Sequence, residues 1–163
     1  MNALAPAPIE ARPSSRCLSV VETSHPYAVD PDRLWTVASD WQALGEVNRG
    51  MVSQYGLPEG RFRAGQTLEI EVSGFGLMPR APYVIEILDC DDRAWVMTSR
   101  EHGAGIRSWE HRMWIEPMPN GCRLMDRVEI DAGPMTLPFA LWARALYARR
   151  HPRRQRLLDQ LAS

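Results

Sequence analysis

Residues 106–131 read IRSWEHRMWIEPMPNGCRLMDRVEID, and this stretch decides the fold. Its centre holds Asn120 followed by Gly121, and an Asn-Gly pair between two patterned segments is a strong signal for a tight turn. On both sides of the turn, apolar and polar side chains alternate with the period of a half-buried strand. We therefore predict a hairpin of two antiparallel strands, Ile106–Met118 and 122–131, joined at Pro119, Asn120 and Gly121.

The alternation assigns one set of side chains in each strand to the buried face of this hairpin. A turn centred on Asn120 pairs His111 with Val128 and Asp126 with Met113, so His111 and Asp126 become diagonal neighbours on that face. An imidazole beside a buried carboxylate suits acid–base catalysis. It also suits a structural pair in which two buried polar groups satisfy each other, and both interpretations remain open. The buried set is Trp109, His111, Met113 and Ile115 in the first strand, and Cys122, Leu124, Asp126, Val128 and Ile130 in the second.

The segments outside the hairpin complete a simple order of elements. Asp30 and Asp40 are candidate N-caps for two short helices that follow a first strand over 16–24. Alternating strands are then expected at 51–57, 66–73, 83–90 and 93–101. Beyond Gly133 the pattern becomes helical to the end of the chain, with a kink or break expected at 149–151 because Pro152 lacks a backbone donor.

This order predicts an α+β fold in which a curved antiparallel sheet wraps around the long C-terminal helix, because that helix is the long amphipathic element able to cover the sheet. A single domain is expected over 16–163. Residues 1–15 are rich in Ala and Pro and are expected to form a disordered tail.

Five short motifs follow one another along the chain in a characteristic order. They are Asp30-Pro31-Asp32-Arg33-Leu34-Trp35, Gly65, Trp109-Glu110-His111-Arg112-Met113, Gly121-Cys122-Arg123-Leu124-Met125-Asp126-Arg127-Val128, and Tyr147-Ala148-Arg149-Arg150-His151 with Arg153. In these motifs, from residue 16 to the C-terminus, the chain resembles the SRPBCC superfamily, also described as START-like or helix-grip, in its bacterial form. The resemblance implies the order β-α-α-β6-α, with an apolar cavity between sheet and last helix that takes hydrophobic small molecules. It implies no single chemistry, because members bind ligands or catalyse cyclisation or hydrolysis.

Several side chains are candidate ligand contacts in this cavity. Arg150 and Arg153 continue the helical stripe of Leu146, so we expect one of them to turn inward towards Asp126 or an acidic ligand group. The apolar segment 74–79 is interpreted as a mobile lip at the cavity mouth, with packing against the last helix as the alternative. The predicted lining, which would serve equally well as plain core, is Trp41, Tyr83, Trp95, Trp109, Met113 and Leu146.

Composition excludes several classes of function. The 163 residues carry a net charge of -1, which disfavours nucleic acid as a partner. No segment approaches the length of an apolar membrane span, and the three cysteines show no paired spacing for zinc or a disulfide framework. We therefore expect a cytoplasmic monomer or dimer without metal or cofactor.

Three functions follow from these observations. The first is binding of a hydrophobic or aromatic small molecule in the cavity. The second is a polyketide-cyclase-like, dehydratase-like or hydrolytic enzyme in which His111 and Asp126 transfer protons and Tyr83 orients the substrate. The third is an interaction module that uses the arginine-rich end of the last helix, and its salt dependence would distinguish it from the other two. The residues of that end are Arg144, Arg149, Arg150, His151, Arg153, Arg154 and Arg156.

Overall fold

The computed structural model describes residues 18–161, so the tail predicted for residues 1–15 lies outside the described residues. The elements are β1 (Ser19–Tyr27), α1 (Pro31–Ala38), α2 (Trp41–Asn48), β2 (Val52–Tyr55), β3 (Thr67–Gly74), β4 (Ala81–Asp91), β5 (Val96–Gly103), β6 (Ile106–Met118), β7 (Gly121–Asp131) and α3 (Thr136–Gln160), with a 3-10 turn at Gly133–Met135 before α3.

Both short helices begin at the aspartates that the sequence indicated. The Asp30 carboxylate accepts a hydrogen bond from the Asp32 backbone N–H at 2.8 Å, and Pro31 occupies the first turn of α1. The Asp40 carboxylate accepts from the Ala43 backbone N–H at 2.9 Å and caps α2. Each cap satisfies a backbone donor that the helix itself leaves unpaired, and the prediction of two short helices is confirmed.

The seven strands form one antiparallel sheet in the order β1-β7-β6-β5-β4-β3-β2. In the central hairpin, His111 pairs with Val128 and Met113 pairs with Asp126, which is the predicted register. Gly121 closes the turn with a φ of 138°, and a Cβ at this position would lie 2.2 Å from the Tyr27 carbonyl oxygen. Glycine is therefore required here on steric grounds, and the Asn-Gly signal holds.

The sheet is curled, and its register is interrupted at two places on the β5 strand's edges. Shifts lie between Ile87 and Asp89 in the β4–β5 pairing and between Glu101 and Gly103 in the β5–β6 pairing. Such bulges increase local twist and bend the strand that carries them. The concave face that results is the buried face of the molecule.

The helix α3 covers this concave face and packs against β1, β7, α1 and α2. It is continuous from Thr136 to Gln160 and contains Pro152, so the break expected at 149–151 does not occur. Arg150 on one side of Pro152 and Leu158 on the other are both buried, and this packing holds the two halves in one helix. The buried residues of α3 are Thr136, Ala140, Ala143, Leu146, Tyr147, Arg150, Arg154 and Leu158.

The structure confirms the α+β class and the order β-α-α-β6-α, with a curved antiparallel sheet around a long C-terminal helix. No helix within 18–161 is both long enough and apolar enough to cross a membrane.

Candidate functional site

A cavity of about 500 Å³ lies between α3 and the inner face of strands β2 to β6. Among the described residues, β1 and β7 contribute none of its lining, because their inner faces pack as core beneath α3. Most lining side chains are apolar. The cavity is therefore an apolar space on one side of the helix, within the size range of small-molecule sites.

The mouth of the cavity can be located from the exposure of the lining residues. Those that are exposed belong to two segments: the β3–β4 connection and the chain at the start of α3. They are Phe75, Met78 and Pro79 in the first segment and Met135 and Pro138 in the second. The segment 74–79 thus borders the mouth, whereas its mobility stays a prediction.

Aromatic rings form much of the wall. Trp142 of α3 contacts Trp109 of β6 in an edge-to-face arrangement at 6.2 Å and Phe139 at 6.4 Å between ring centroids. At the α2 end, Trp41 and Phe62 lie 4.3 Å apart. All five rings line the cavity, and aromatic walls suit contact with a flat apolar molecule.

Six of the seven predicted ligand contacts line the cavity, namely Trp41, Tyr83, Trp109, Met113, Leu146 and Arg150. Trp95 does not, and its assignment as a ligand contact is wrong. It lies in the turn before β5 with a φ of 50°, and its indole N–H donates to Asp32 Oδ1 at 2.7 Å. The left-handed backbone interrupts the strand alternation on which the prediction relied, so the ring points to α1.

The structure brings His111 and Asp126 into direct contact, with 2.7 Å between His111 Nε2 and Asp126 Oδ1. Both side chains are buried, and His111 lines the cavity whereas Asp126 does not. The carboxylate therefore lies behind the imidazole and orients it towards the space. Burial opposes ionisation of Asp126, but the hydrogen bond and charge of His111, with the charges of Arg154 and Arg150, outweigh burial and lower its pKa.

The carboxylate of Glu101 on β5 also lines the cavity, and the sequence did not predict this residue as part of the site. The Tyr83 hydroxyl donates to Glu101 Oε2 and the Ser99 hydroxyl donates to Glu101 Oε1, each at 3.0 Å. Burial, followed by the charge of Glu101, raises the pKa of Tyr83 well above its usual value, so the phenol stays protonated. Alternation along β4 and β5 gives these residues one face, but their contact across the strands was not predicted.

Two arginines of α3, Arg150 and Arg154, are buried and line the cavity. Arg153, the other candidate from the sequence, is half-buried and donates instead to the Arg49 carbonyl on the α2 side. Arg154 continues the stripe of Leu146 and Arg150 at a spacing of four residues and Arg153 continues it at three, so the spacing allows both and the packing of α3 selects Arg154. With these two side chains inside, the exposed basic surface on this helix is smaller than the sequence suggested.

Histidine residues elsewhere form no metal site in the part of the chain that the structure describes. The rings of His25 and His151 stack at 4.9 Å, a contact the sequence did not reveal. No group of three or more His, Cys, Asp or Glu side chains within 18–161 is arranged to hold a metal ion.

The architecture closely follows that of several solved structures. Norcoclaurine synthase from Thalictrum flavum, in complex with dopamine and hydroxybenzaldehyde, matches with a TM-score of 0.66 and 15% identity over 98% of this chain and 97% of that one. A START superfamily protein from Mycobacterium smegmatis matches with a TM-score of 0.63 and 15% identity over 87% and 98%. The chain has the START-like helix-grip fold.

Ara h 8.0201 shares this helix-grip fold, with a TM-score of 0.68 and 12% identity over 88% of this chain and 99% of that one. No protein-family model and no curated protein sequence matches the chain. At these identities the likeness establishes the fold, and the function must be argued from the cavity and its polar groups.

Replacing Asp126 by Ala tests the buried pair. The change leaves His111 Nε2 without its partner, and we expect a loss of about 1 to 3 kcal/mol in the free energy of unfolding, measured by urea denaturation at neutral pH. Asp126→Asn, which retains an oxygen acceptor, is the matched control and should lose less. Unfolding curves for Asp126→Ala that coincide with the wild type would show that the pair contributes nothing to stability.

Proposed function

We propose that this protein binds an apolar or aromatic small molecule in the cavity between β2–β6 and α3. The observation that carries the proposal is the combination of about 500 Å³ of space with a wall of apolar and aromatic side chains. Apolar surface facing empty space gains little from packing, whereas a ligand of matching shape would bury it. The protein is then a binding protein whose interior is completed by its ligand.

The mouth supports the same function. Clusters of exposed apolar side chains are uncommon on protein surfaces and often mark a binding site. At the rim of this cavity, Phe75 is 51% exposed, Met78 60% and Met135 52%. A rim of this kind lets an apolar molecule pass from solvent to the interior without crossing a polar barrier. The fold likeness to norcoclaurine synthase, which was solved with two small aromatic molecules, agrees with a ligand of that size class.

The free cysteines and the absence of a predicted cofactor motif agree with a cytoplasmic carrier or sensor of such a molecule. Cys90 is half-buried and Cys122 is buried, and neither forms a disulfide within 18–161. We propose a cytoplasmic location on these grounds, and the monomer or dimer stays a prediction.

Filling the cavity from one strand tests ligand binding. Val72 is buried on β3 and lines the cavity, so Val72→Phe places a larger ring into the space. We expect the affinity for Nile red, a neutral apolar dye, to fall at least tenfold in a fluorescence titration. Native mass spectrometry of the freshly purified protein should show a bound small molecule in the wild type and less of it in Val72→Phe.

The matched control is Val20→Phe, because Val20 is an exposed strand residue outside the cavity. Its dye affinity should equal that of the wild type. Equal affinities for wild type, Val72→Phe and Val20→Phe would place the dye elsewhere on the molecule and contradict the proposal.

A second function is supported by the His111–Asp126 pair. A carboxylate 2.7 Å behind an imidazole that lines the cavity is the arrangement of a general acid–base group held in one orientation. Tyr83 also lines this cavity, and because its hydroxyl proton is donated to Glu101, its oxygen is left to accept a hydrogen bond from a hydroxyl group of a bound molecule. A cyclase-like, dehydratase-like or hydrolytic reaction on the bound molecule would use these groups without any cofactor.

Replacing His111 by Gln separates the enzyme from the binding protein. Glutamine retains hydrogen-bonding capacity but transfers no protons at neutral pH, so we expect turnover to be lost while Nile red affinity stays within a few fold. The measurement compares a bacterial small-molecule extract by mass spectrometry after incubation with wild type and with His111→Gln. Depletion of the same compound by both proteins would remove His111 as the acid–base group.

A further inference from the structure

The deep part of the cavity wall contains two positive charges. Arg150 and Arg154 are one turn apart on the same face of α3, are 8% and 5% exposed, and both line the cavity. Arginine remains protonated at any physiological pH and carries five N–H donors in a planar fork. The two guanidinium groups therefore bring fixed charge and several hydrogen-bond donors into a space that is otherwise mostly apolar.

Among the described residues, neither guanidinium has a counter-ion in contact. Within 18–161, no carboxylate oxygen lies within 4.0 Å of Arg150 or Arg154. Arg150 Nε donates to Asn48 Oδ1 at 2.7 Å, and its guanidinium lies over the Tyr147 ring at 4.4 Å from the centroid. Across residues 18–161, Arg154 donates one hydrogen bond, at the long distance of 3.5 Å, to the Tyr27 hydroxyl. The partners in place are neutral groups.

The carboxylates nearby are already engaged by other donors. Glu101 accepts from the hydroxyls of Tyr83 and Ser99, and Asp126 accepts from His111. The positive charges of Arg150 and Arg154 act on Asp126 from a distance and help to lower the pKa of that carboxyl group. Asp126 itself does not line the cavity. These carboxylates act on the arginines only across a distance, and none of them accepts a hydrogen bond from either guanidinium. The guanidinium N–H donors on the cavity side can therefore bind the oxygen atoms of a ligand.

Burial of a charge without a paired counter-ion is costly, and a carboxylate matches the fork of a guanidinium in shape and charge. We infer that the ligand is an apolar carboxylic acid whose carboxylate binds Arg150 and Arg154 while its carbon skeleton occupies the apolar part of the cavity. This inference rests on the proposed binding function and specifies the chemical class of its ligand.

The position of the arginines also gives the bound acid an orientation. Pro138 lies at the mouth and Arg150 lies twelve positions further along α3, which at 1.5 Å per residue corresponds to roughly 18 Å. The lining residues of α3 recur every three or four positions between these two points, at Phe139, Trp142 and Leu146. An elongated acid would therefore enter with its carboxylate first and leave its apolar end near the rim.

The test compares dodecanoic acid with 1-dodecanol, which have the same carbon chain and differ in the terminal group. Each displaces Nile red from the wild-type protein at fixed ionic strength and neutral pH. We expect the acid to bind at least tenfold more tightly than the alcohol. Equal affinities of acid and alcohol would overturn this inference but leave the proposed function intact, whereas failure of both to displace the dye or bind in calorimetry would overturn both.

Single substitutions test which arginine causes the tighter binding of dodecanoic acid than of 1-dodecanol. Arg154→Met and Arg150→Met should each lower the affinity for the acid at least fivefold and leave that for the alcohol within twofold. Arg149→Met, at an exposed position on the same helix, is the control and should retain the full preference. If Arg150→Met fails to fold because its contact with Asn48 is lost, Arg154→Met decides. A preference that persists in Arg154→Met, or that disappears in Arg149→Met, contradicts the assignment.

Discussion

An α-helix with its side chains is about 10–12 Å across, whereas seven strands spaced about 4.8 Å apart span roughly 29 Å. One helix therefore cannot cover the whole inner face of this sheet. Here α3 packs directly over β1 and β7. The curl of the sheet brings β2 to β6 around the other side of α3, but a space remains between these strands and the helix. The cavity is the space that this mismatch leaves.

The same constraint determines which side chains meet in the cavity. Many inward residues of β4, β5 and β6 line the cavity, so polar residues at these positions become groups that a ligand can contact. His111 and Glu101 enter from the sheet, and Arg150 and Arg154 enter from the helix. Three of these four groups are held by a hydrogen bond: His111 by Asp126, Glu101 by Ser99 and Arg150 by Asn48. Oriented polar groups in an apolar space provide selectivity for the ligand's functional groups.

The sequence predicts the position of a side chain correctly where the alternation of apolar and polar residues is uninterrupted. It does not do so where backbone conformation or contacts between elements determine that position. Unbroken alternation and an Asn-Gly turn were enough to predict the register that brings His111 to Asp126. Trp95 was misassigned because a positive φ precedes β5. Arg154 was missed because three-residue and four-residue spacings both continue a helical stripe, and only packing against the sheet selects between them. The Tyr83–Glu101 contact depends on the register of β4 against β5, which pairs Tyr83 with Gly103 and Ile85 with Glu101, and no turn signal comparable to Asn-Gly fixes that register in the sequence.

The central claim is that the ligand binds inside the molecule, between α3 and β2–β6. Nuclear Overhauser contacts between bound 1-dodecanol and assigned side-chain methyl groups test it most directly. The account predicts contacts to the methyl groups of Met97, Met113 and Leu146, which are buried and line the cavity. Contacts confined to the exposed residues Leu77, Leu137 and Leu141 would show that the alcohol binds at the surface and would contradict the account.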